Sequence, residues 1–264
     1  MIDLARLDPK LLSTEPYEWA FIDGLFAPQD AAALATFFPH DNFKTVRAYD
    51  GEKGYAYETR SLIAMGREVP SHNEYLSPAW RRLANDLLSP AYRAAMARLV
   101  GRELDSLLME ANVYHYGPGA RLGPHLDLKH KILTHAFYFN ETWNSRDGGC
   151  LTILQSSDVF SEVTQVAPVL GNSVVVVRSA KSWHAVSPVV KCCHRSRRSL
   201  TVAFHSPGSV STLWPPGDKT PLHQYDGVTH EESTNGMPGP LTRLRRRATY
   251  LLRTTAREKL RLTK

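Results

Sequence analysis

Two histidines and one aspartate stand where they could share a metal ion. Two of them form His125-Leu126-Asp127, and the third, His184, lies in Ser182-Trp183-His184-Ala185-Val186. Two imidazoles and one carboxylate can hold one face of a non-haem iron(II) ion. The opposite face then stays open for substrate and oxygen. Thirteen residues after His184 comes Arg197, in Arg197-Arg198-Ser199-Leu200-Thr201-Val202. A fixed cation beside such a metal is what a dicarboxylate co-substrate requires.

These groups need a scaffold that brings distant segments together. Residues two apart on a strand point to the same face, so His125 and Asp127 can be presented by one sheet edge. The third ligand has to come from another strand. His184 follows the β-branched run Val174-Val175-Val176-Val177 and suits that role. By the same alternation Arg197, Ser199 and Thr201 share one face, while Arg198 points the other way. The chain has 11 histidines. His115, His130 and His135 sit near strands and could line a cavity, although structural or surface roles suit them better. His205, at the end of the last strand, is ambiguous.

Along the chain, residues 18–26 read as a short strand entering a turn, and Pro28–Phe38 as a helix. An extended segment covers residues 54–65. Pro78–Glu103 carries a helical pattern that Ser89-Pro90 should break in two. From residue 107 the period changes to two. Leu108–Tyr116, Lys131–Phe139, Cys150–Leu154, Ser173–Arg178 and Leu200–His205 read as strands, with a turn at Asp147-Gly148-Gly149. The fold class is mainly β with flanking helices. Four regions follow: residues 1–106 as helical and strand support, 107–206 as the β core with the site, 207–240 as an irregular Pro/Gly-rich segment that wraps the body or forms part of a lid, and 241–264 as a basic amphipathic helix.

Composition narrows the function classes. The 264 residues, 42% hydrophobic, suit one domain with decorations. No apolar run is long enough to span a membrane, and the N-terminus does not read as a secretory signal. The cysteines, Cys150, Cys192 and Cys193, are odd in number and suggest a reducing cytoplasm rather than a disulfide framework. Cys192-Cys193-His194 has the wrong spacing for a zinc knuckle. The net charge of +6 is a property of the tail. Residues 241–264 hold nine Lys or Arg against Glu258 alone, a net +8, which leaves −2 for residues 1–240. The body therefore carries no clear nucleic-acid module. The tail could meet a membrane or another acidic partner, but a helix docked by Leu244, Ala248 and Leu251 with solvated arginines explains it as well.

From Asn112 to His205 the chain resembles the iron(II)/2-oxoglutarate-dependent dioxygenases of the prolyl-4-hydroxylase-like branch. Four ordered elements carry the resemblance. They are Tyr116-Gly117-Pro118 leading into His125-Leu126-Asp127, Gly148-Gly149-Cys150-Leu151-Thr152-Ile153, His184-Ala185-Val186-Ser187-Pro188-Val189, and Arg197-Arg198-Ser199-Leu200-Thr201-Val202. The resemblance implies a double-stranded β-helix, or jelly roll. It implies iron(II) on His125, Asp127 and His184, and 2-oxoglutarate on Arg197, with Tyr116 and Tyr138 at positions whose hydroxyls bind the co-substrate. Asn112 shares a strand face with Tyr116, and Trp183 precedes the distal ligand; both are substrate-pocket candidates, although packing explains Trp183 better. Two features depart from the family pattern. Val190–Ser196 is slightly long and basic and suggests a loop at the cavity mouth, and Ala203 stands where an aromatic is common.

The reaction implied is hydroxylation of an unactivated C–H bond with oxygen, releasing succinate and carbon dioxide from 2-oxoglutarate. Related halogenases lack the carboxylate ligand, so Asp127 favours hydroxylation. The absence of a recognisable peptide- or nucleic-acid-binding module favours a small-molecule substrate, such as a natural product, amino-acid or sugar derivative. A protein prolyl or side-chain hydroxylase is the alternative. A non-catalytic metal-binding jelly roll is the reading from another class, and retention of every ligand together with Arg197 argues against it.

Overall fold

The computed structural model describes residues 1–50 and 53–225. The expected basic helix over 241–264 and the later part of the Pro/Gly-rich segment lie outside the described residues. Eleven strands form one strongly curled antiparallel sheet: β1 (Trp19–Ile22), β2 (Lys44–Asp50), β3 (Lys53–Ile63), β4 (Leu108–Tyr116), β5 (Arg121–His125), β6 (Lys131–Tyr138), β7 (Leu151–Leu154), β8 (Glu162–Val166), β9 (Ser173–Val177), β10 (His184–Val186) and β11 (Arg197–His205). The order is β1-β9-β6-β11-β4-β3-β5-β10-β7-β8, with β2 on the outside of β3. Strand β3 is long enough to serve both halves. Its later residues pair with β4, and Tyr55 and Ala56 pair with β5. The sheet thereby folds over on itself, as the double-stranded β-helix requires.

The expected strands are present, with β11 starting at Arg197 rather than Leu200. Four strands are additional: β2, β5, β8 and β10. Of these, β5 and β10 are only 5 and 3 residues long. Strands that short carry too few alternations to register as a pattern.

Alternation sorts the central strands into two chemically opposite faces. Ala111 and Val113 on β4, Leu133 and Phe137 on β6, Val175 and Val177 on β9, and Leu200, Val202 and Phe204 on β11 point outward into one buried apolar cluster. That cluster is capped by α1 (Pro28–Thr36), α2 (Pro78–Leu88) and α3 (Pro90–Val100). Their boundaries follow local chemistry. Proline opens each helix, where its missing N–H costs nothing. Ser77 caps α2 by accepting from the Trp80 amide, and Ser89 caps α3 by accepting from the Tyr92 amide. Gly101 ends α3 in the left-handed region. Trp80 is fully buried and donates its indole N–H to the Leu34 carbonyl at 3.0 Å, which joins α2 to α1. Full burial of each such side chain stabilises the fold by about 2–3 kcal/mol.

The inner faces of β4 and β11 carry Glu110, Asn112, Tyr114, Tyr116, Arg197, Ser199, Thr201, Ala203 and His205 around an internal cavity. A second apolar cluster, including Ile153, Val166, Val174 and Val186, fills the rest of the interior.

The turn before β7 is tightly fitted to the site. Gly148 has φ +70°, and a Cβ there would sit 1.9 Å from the Pro188 carbonyl oxygen. Gly148→Ala should destabilise the protein by about 2–3 kcal/mol, since strain and clash act together. Gly171 has φ +84° but open space around it, so Gly171→Ala should cost only about 1 kcal/mol. Chemical denaturation of both variants would test this; equal losses would show that contact with Pro188 is unimportant.

Candidate metal and co-substrate site

His125 ends β5 and His184 begins β10, and the two residues are direct cross-strand partners. Their ring centroids lie 4.2 Å apart. Each ring presents Nδ1 to the carbonyl oxygen two residues earlier, Gly123 and Ser182 respectively, both at 2.9 Å. A carbonyl can only accept, so Nδ1 carries the proton and Nε2 carries the lone pair. This is how a protein fixes the tautomer and orientation of a ligating histidine.

Asp127 reaches the same point by a different route from the one its spacing suggests. Strand β5 stops at His125, so Asp127 is not on the strand. Its carboxylate is aimed instead by side chains of β6. Lys131 Nζ donates to Oδ1 at 2.9 Å, and Thr134 Oγ1 donates to Oδ2 at 2.8 Å. Burial works against the charge, but Lys131 and then the two histidines outweigh it and hold Asp127 far below the usual carboxylate range. The ligand atoms of His125, Asp127 and His184 lie within 4.8 Å of one another. Among the described residues no second group of this kind forms, at Cys192-Cys193-His194 or elsewhere.

Arg197 supplies the anion end of the cavity. It is 3% exposed and donates to Ser199 Oγ at 2.6 Å. Its guanidinium lies 4.9 Å from the Tyr116 ring centroid and 5.3 Å from that of Tyr138. Among the described residues no carboxylate pairs with it, and both its Nε and the Tyr138 hydroxyl are buried without a hydrogen-bond partner. A buried cation with idle donors is costly unless an anion completes it. Burial pushes the Tyr116 and Tyr138 hydroxyls up to about 12 despite the opposing pull of Arg197, so both remain donors at neutral pH. Arg198 points to the other face, where its guanidinium lies over the Phe38 ring at 5.4 Å. The alternation argument for Arg197 matches this arrangement.

The remaining candidates separate cleanly. Asn112 is buried on the cavity wall and accepts from Trp214 Nε1 at 2.7 Å. Trp183 is half-buried and does not line the cavity; its carbonyl accepts from the Tyr17 hydroxyl at 2.8 Å. His115 and His135 face outward, bonded to Glu58 at 2.8 Å and to the Tyr92 hydroxyl at 3.0 Å. Burial pushes His135 down to about 3, so it is a neutral core residue. His205 is on the cavity wall, and His130 lies beside it at 5.5 Å between ring centroids. No residue of Val190–Ser196 lines the cavity. That segment folds instead toward Thr142, which Arg195 contacts at 2.8 Å.

Three wall residues escaped sequence reasoning: Lys131, Thr134 as a partner of Asp127, and Glu110. Glu110 was within reach of the pattern, because it continues the inward row of Asn112, Tyr114 and Tyr116. Segment 206–218 also contributes, since Thr212 and Leu213 line the cavity.

The metal-site geometry and the fold agree with what comparison finds. The model of the 2OG-Fe(II) oxygenase superfamily matches residues 111–205, which contain all three candidate ligands and Arg197. No curated protein matches the chain. A prolyl-4-hydroxylase from Pseudomonas putida superposes with a TM-score of 0.53 at 21% identity, covering 75% of this chain and 98% of the other. A prolyl 4-hydroxylase of Phytophthora capsici gives 0.51 at 18% identity, over 78% of this chain and 66% of the other. AviO1 from Streptomyces viridochromogenes gives 0.50 at 14% identity, over 80% and 98%. These likenesses establish a common fold. Residues 111–205 thus match the 2OG-Fe(II) oxygenase superfamily, whose members are oxidoreductases that use iron(II), 2-oxoglutarate and oxygen.

Proposed function

We propose that this protein hydroxylates an unactivated C–H bond of a small molecule, with His125, Asp127 and His184 as the iron(II) ligands and Arg197 as the anchor for 2-oxoglutarate. The observation that carries the co-substrate assignment is the unpaired, buried guanidinium of Arg197 at one end of the cavity that holds the triad. A dicarboxylate has one carboxylate to satisfy Arg197 and a second group to reach the metal. Bound iron(II) would let oxygen act as the oxidant, taking two electrons from 2-oxoglutarate, which leaves as succinate and carbon dioxide, and two from the substrate C–H bond.

The chain's own residues orient and enclose. The carbonyls of Gly123 and Ser182 hold both imidazoles by Nδ1, which directs Nε2 at the metal position. Lys131 and Thr134 keep the Asp127 carboxylate from turning away. Tyr138 aims a spare hydroxyl donor beside Arg197, suited to the same carboxylate, and Tyr116 stacks against the guanidinium. Ser199 holds the guanidinium from its far side. A small substrate is favoured because Thr212 and Leu213, from the segment after β11, help enclose a cavity of about 170 Å³. A protein prolyl hydroxylase would need an open track across this edge to seat a chain.

An oxygen-free titration with iron(II) and 2-oxoglutarate tests the cofactor assignment. The wild-type protein should develop a weak visible metal-to-ligand charge-transfer band. His125→Ala should abolish it. Arg197→Ala should raise the 2-oxoglutarate dissociation constant by about tenfold or more, as expected for loss of a charged, buried hydrogen-bonded pair. A folded, iron-loaded wild type without the band would promote the metal-binding jelly roll without turnover.

Tyr138→Phe separates binding from folding. Its hydroxyl is tied to nothing but the adjacent Arg197 guanidinium, so removal should cost no more than about 1 kcal/mol of stability. The same change should weaken 2-oxoglutarate binding by about tenfold. Unchanged affinity would assign Tyr138 to packing alone.

A further inference from the structure

The end of the cavity away from Arg197 has a polar wall that the steps above do not use. Arg197 and His205 sit at opposite ends of β11, and both line the cavity. At the His205 end stand Glu110, Asn112 and His205, which are 5%, 4% and 3% exposed. Glu110 Oε1 accepts from the Ser211 hydroxyl, and Oε2 lies 3.8 Å from His205 Nε2. That separation is too long for a hydrogen bond. Both ring nitrogens of His205 and Nε2 of neighbouring His130 are buried with no partner among the described residues. Such a wall is expensive in a protein that does not fill it.

We propose that this wall binds the hydroxyl groups of a neutral, hydroxyl-rich ring substrate, such as a sugar or cyclitol unit, with Glu110 and His205 as the pair that determines specificity. The inference rests on the small-molecule reading above and names its substrate class. Geometry is the first support. One hydroxyl oxygen can sit about 2.8 Å from both Glu110 Oε2 and His205 Nε2 when these are 3.8 Å apart. It donates to the carboxylate and accepts from the imidazole N–H, a dual role that a carboxylate, which has no donor, cannot play. A vicinal hydroxyl would find further partners in the inward side chains of Thr201 and Asn112.

Electrostatics is the second support. Lys131 projects into the same cavity, and its charge acts on both Glu110 and His205. Lys131 is a cation already acting on Glu110, which disfavours a second one beside it. An added carboxylate would face Glu110. A neutral polar group avoids both costs. Burial lowers His205 to about 4, aided by Lys131 and His130, so the imidazole stays neutral and keeps one donor and one acceptor.

Space is the third support. Ala203, on β11, is the cross-strand partner of Glu110 on β4 and of Thr134 on β6, and it lines the cavity with a single methyl group. Room for a ring in front of Glu110 exists because that side chain is small. Leu128 and Leu213 flank the cavity and can cover the ring's apolar face.

The test uses the iron(II)- and 2-oxoglutarate-loaded protein without oxygen, titrated calorimetrically with three ring compounds of similar size: methyl glucopyranoside, cyclohexylamine and cyclohexanecarboxylate. The glucoside should bind more tightly than either charged ring. Glu110→Leu should weaken it by about tenfold, Glu110→Gln by less, and Ala203→Phe should abolish it. The charge-transfer band should persist in all three variants and vouch for their folding. Tighter binding of a charged ring, equal glucoside affinity in Glu110→Leu, or no binding of any ring would overturn the proposal. Loss of the band in the wild type would instead count against the cofactor assignment, and glucoside binding to the metal-free protein would still report on the Glu110 wall.

Discussion

Everything in this molecule hangs on the antiparallel pairing of β4 with β11. Nine residue pairs hold it, from Arg197 opposite Tyr116 to His205 opposite Leu108. Because side chains alternate with period two, a slip by one residue would turn Arg197 out of the cavity and bring Arg198 in. It would also turn Leu200, Val202 and Phe204 away from the helices. The apolar face is what prevents this. Burying those side chains against α2 and α3 makes any other register costly, so hydrophobic packing on one side of the sheet fixes the chemistry on the other.

That arrangement lets the interior carry groups a folding optimum would avoid. Arg197 Nε, the Tyr138 hydroxyl and the His205 nitrogens are buried without partners. Each costs about 1–3 kcal/mol if left dry and unpaired. Arg197 and His205 line the cavity, and Tyr138 stands beside Arg197; on the outer side His135 Nε2 and Arg198 Nε are likewise unpartnered, although His115 and His135 each bond through their other nitrogen.

The sequence disclosed the chemistry better than the geometry that delivers it. His125, Asp127, His184 and Arg197 stood out because their residue types and order suit one reaction. Alternation alone assigned Arg197 and Arg198 to opposite faces, as the structure has them. Asp127 was misplaced on a strand because His-X-Asp spacing says nothing about where β5 ends. Its true supports, Lys131 and Thr134, come from the next strand, and no local pattern links a hydroxyl to a carboxylate seven positions earlier. Strands β5 and β10 were invisible for a related reason. They are held by long-range pairing to each other and to β3 and β7, not by a run of strand-forming residues. Trp183 attracted attention by adjacency to a ligand, yet it stands just before β10 begins and does not line the cavity.

The segment after β11 shows how an irregular stretch can be as firmly placed as a strand. Its Pro and Gly content limits backbone pairing to a bridge between His223 and Phe43 and a bond from the Tyr225 amide to the His40 carbonyl, and side chains tie it down elsewhere. Ser211 bonds Glu110, and Trp214 bonds Asn112. Lys44 joins β2 to the segment through the Leu213 carbonyl and Asp218, and its ammonium lies 4.1 Å from the Trp214 ring centroid. Farther along, Glu58 on β3 accepts from His223 at 2.6 Å and pairs with His115, whose ring meets that of Tyr225 at 3.6 Å. The earlier contacts, through Ser211 and Trp214, are with the cavity wall, and the later ones, through His223 and Tyr225, are with the outer face of the sheet. A ligand that displaced Ser211 from Glu110 would therefore pull on a segment anchored independently at Lys44 and Glu58. Local opening near Ser211 is cheaper than releasing the whole segment, because the distal anchors need not break. The wall that selects the substrate and the segment that encloses it are thus joined by the same two hydrogen bonds.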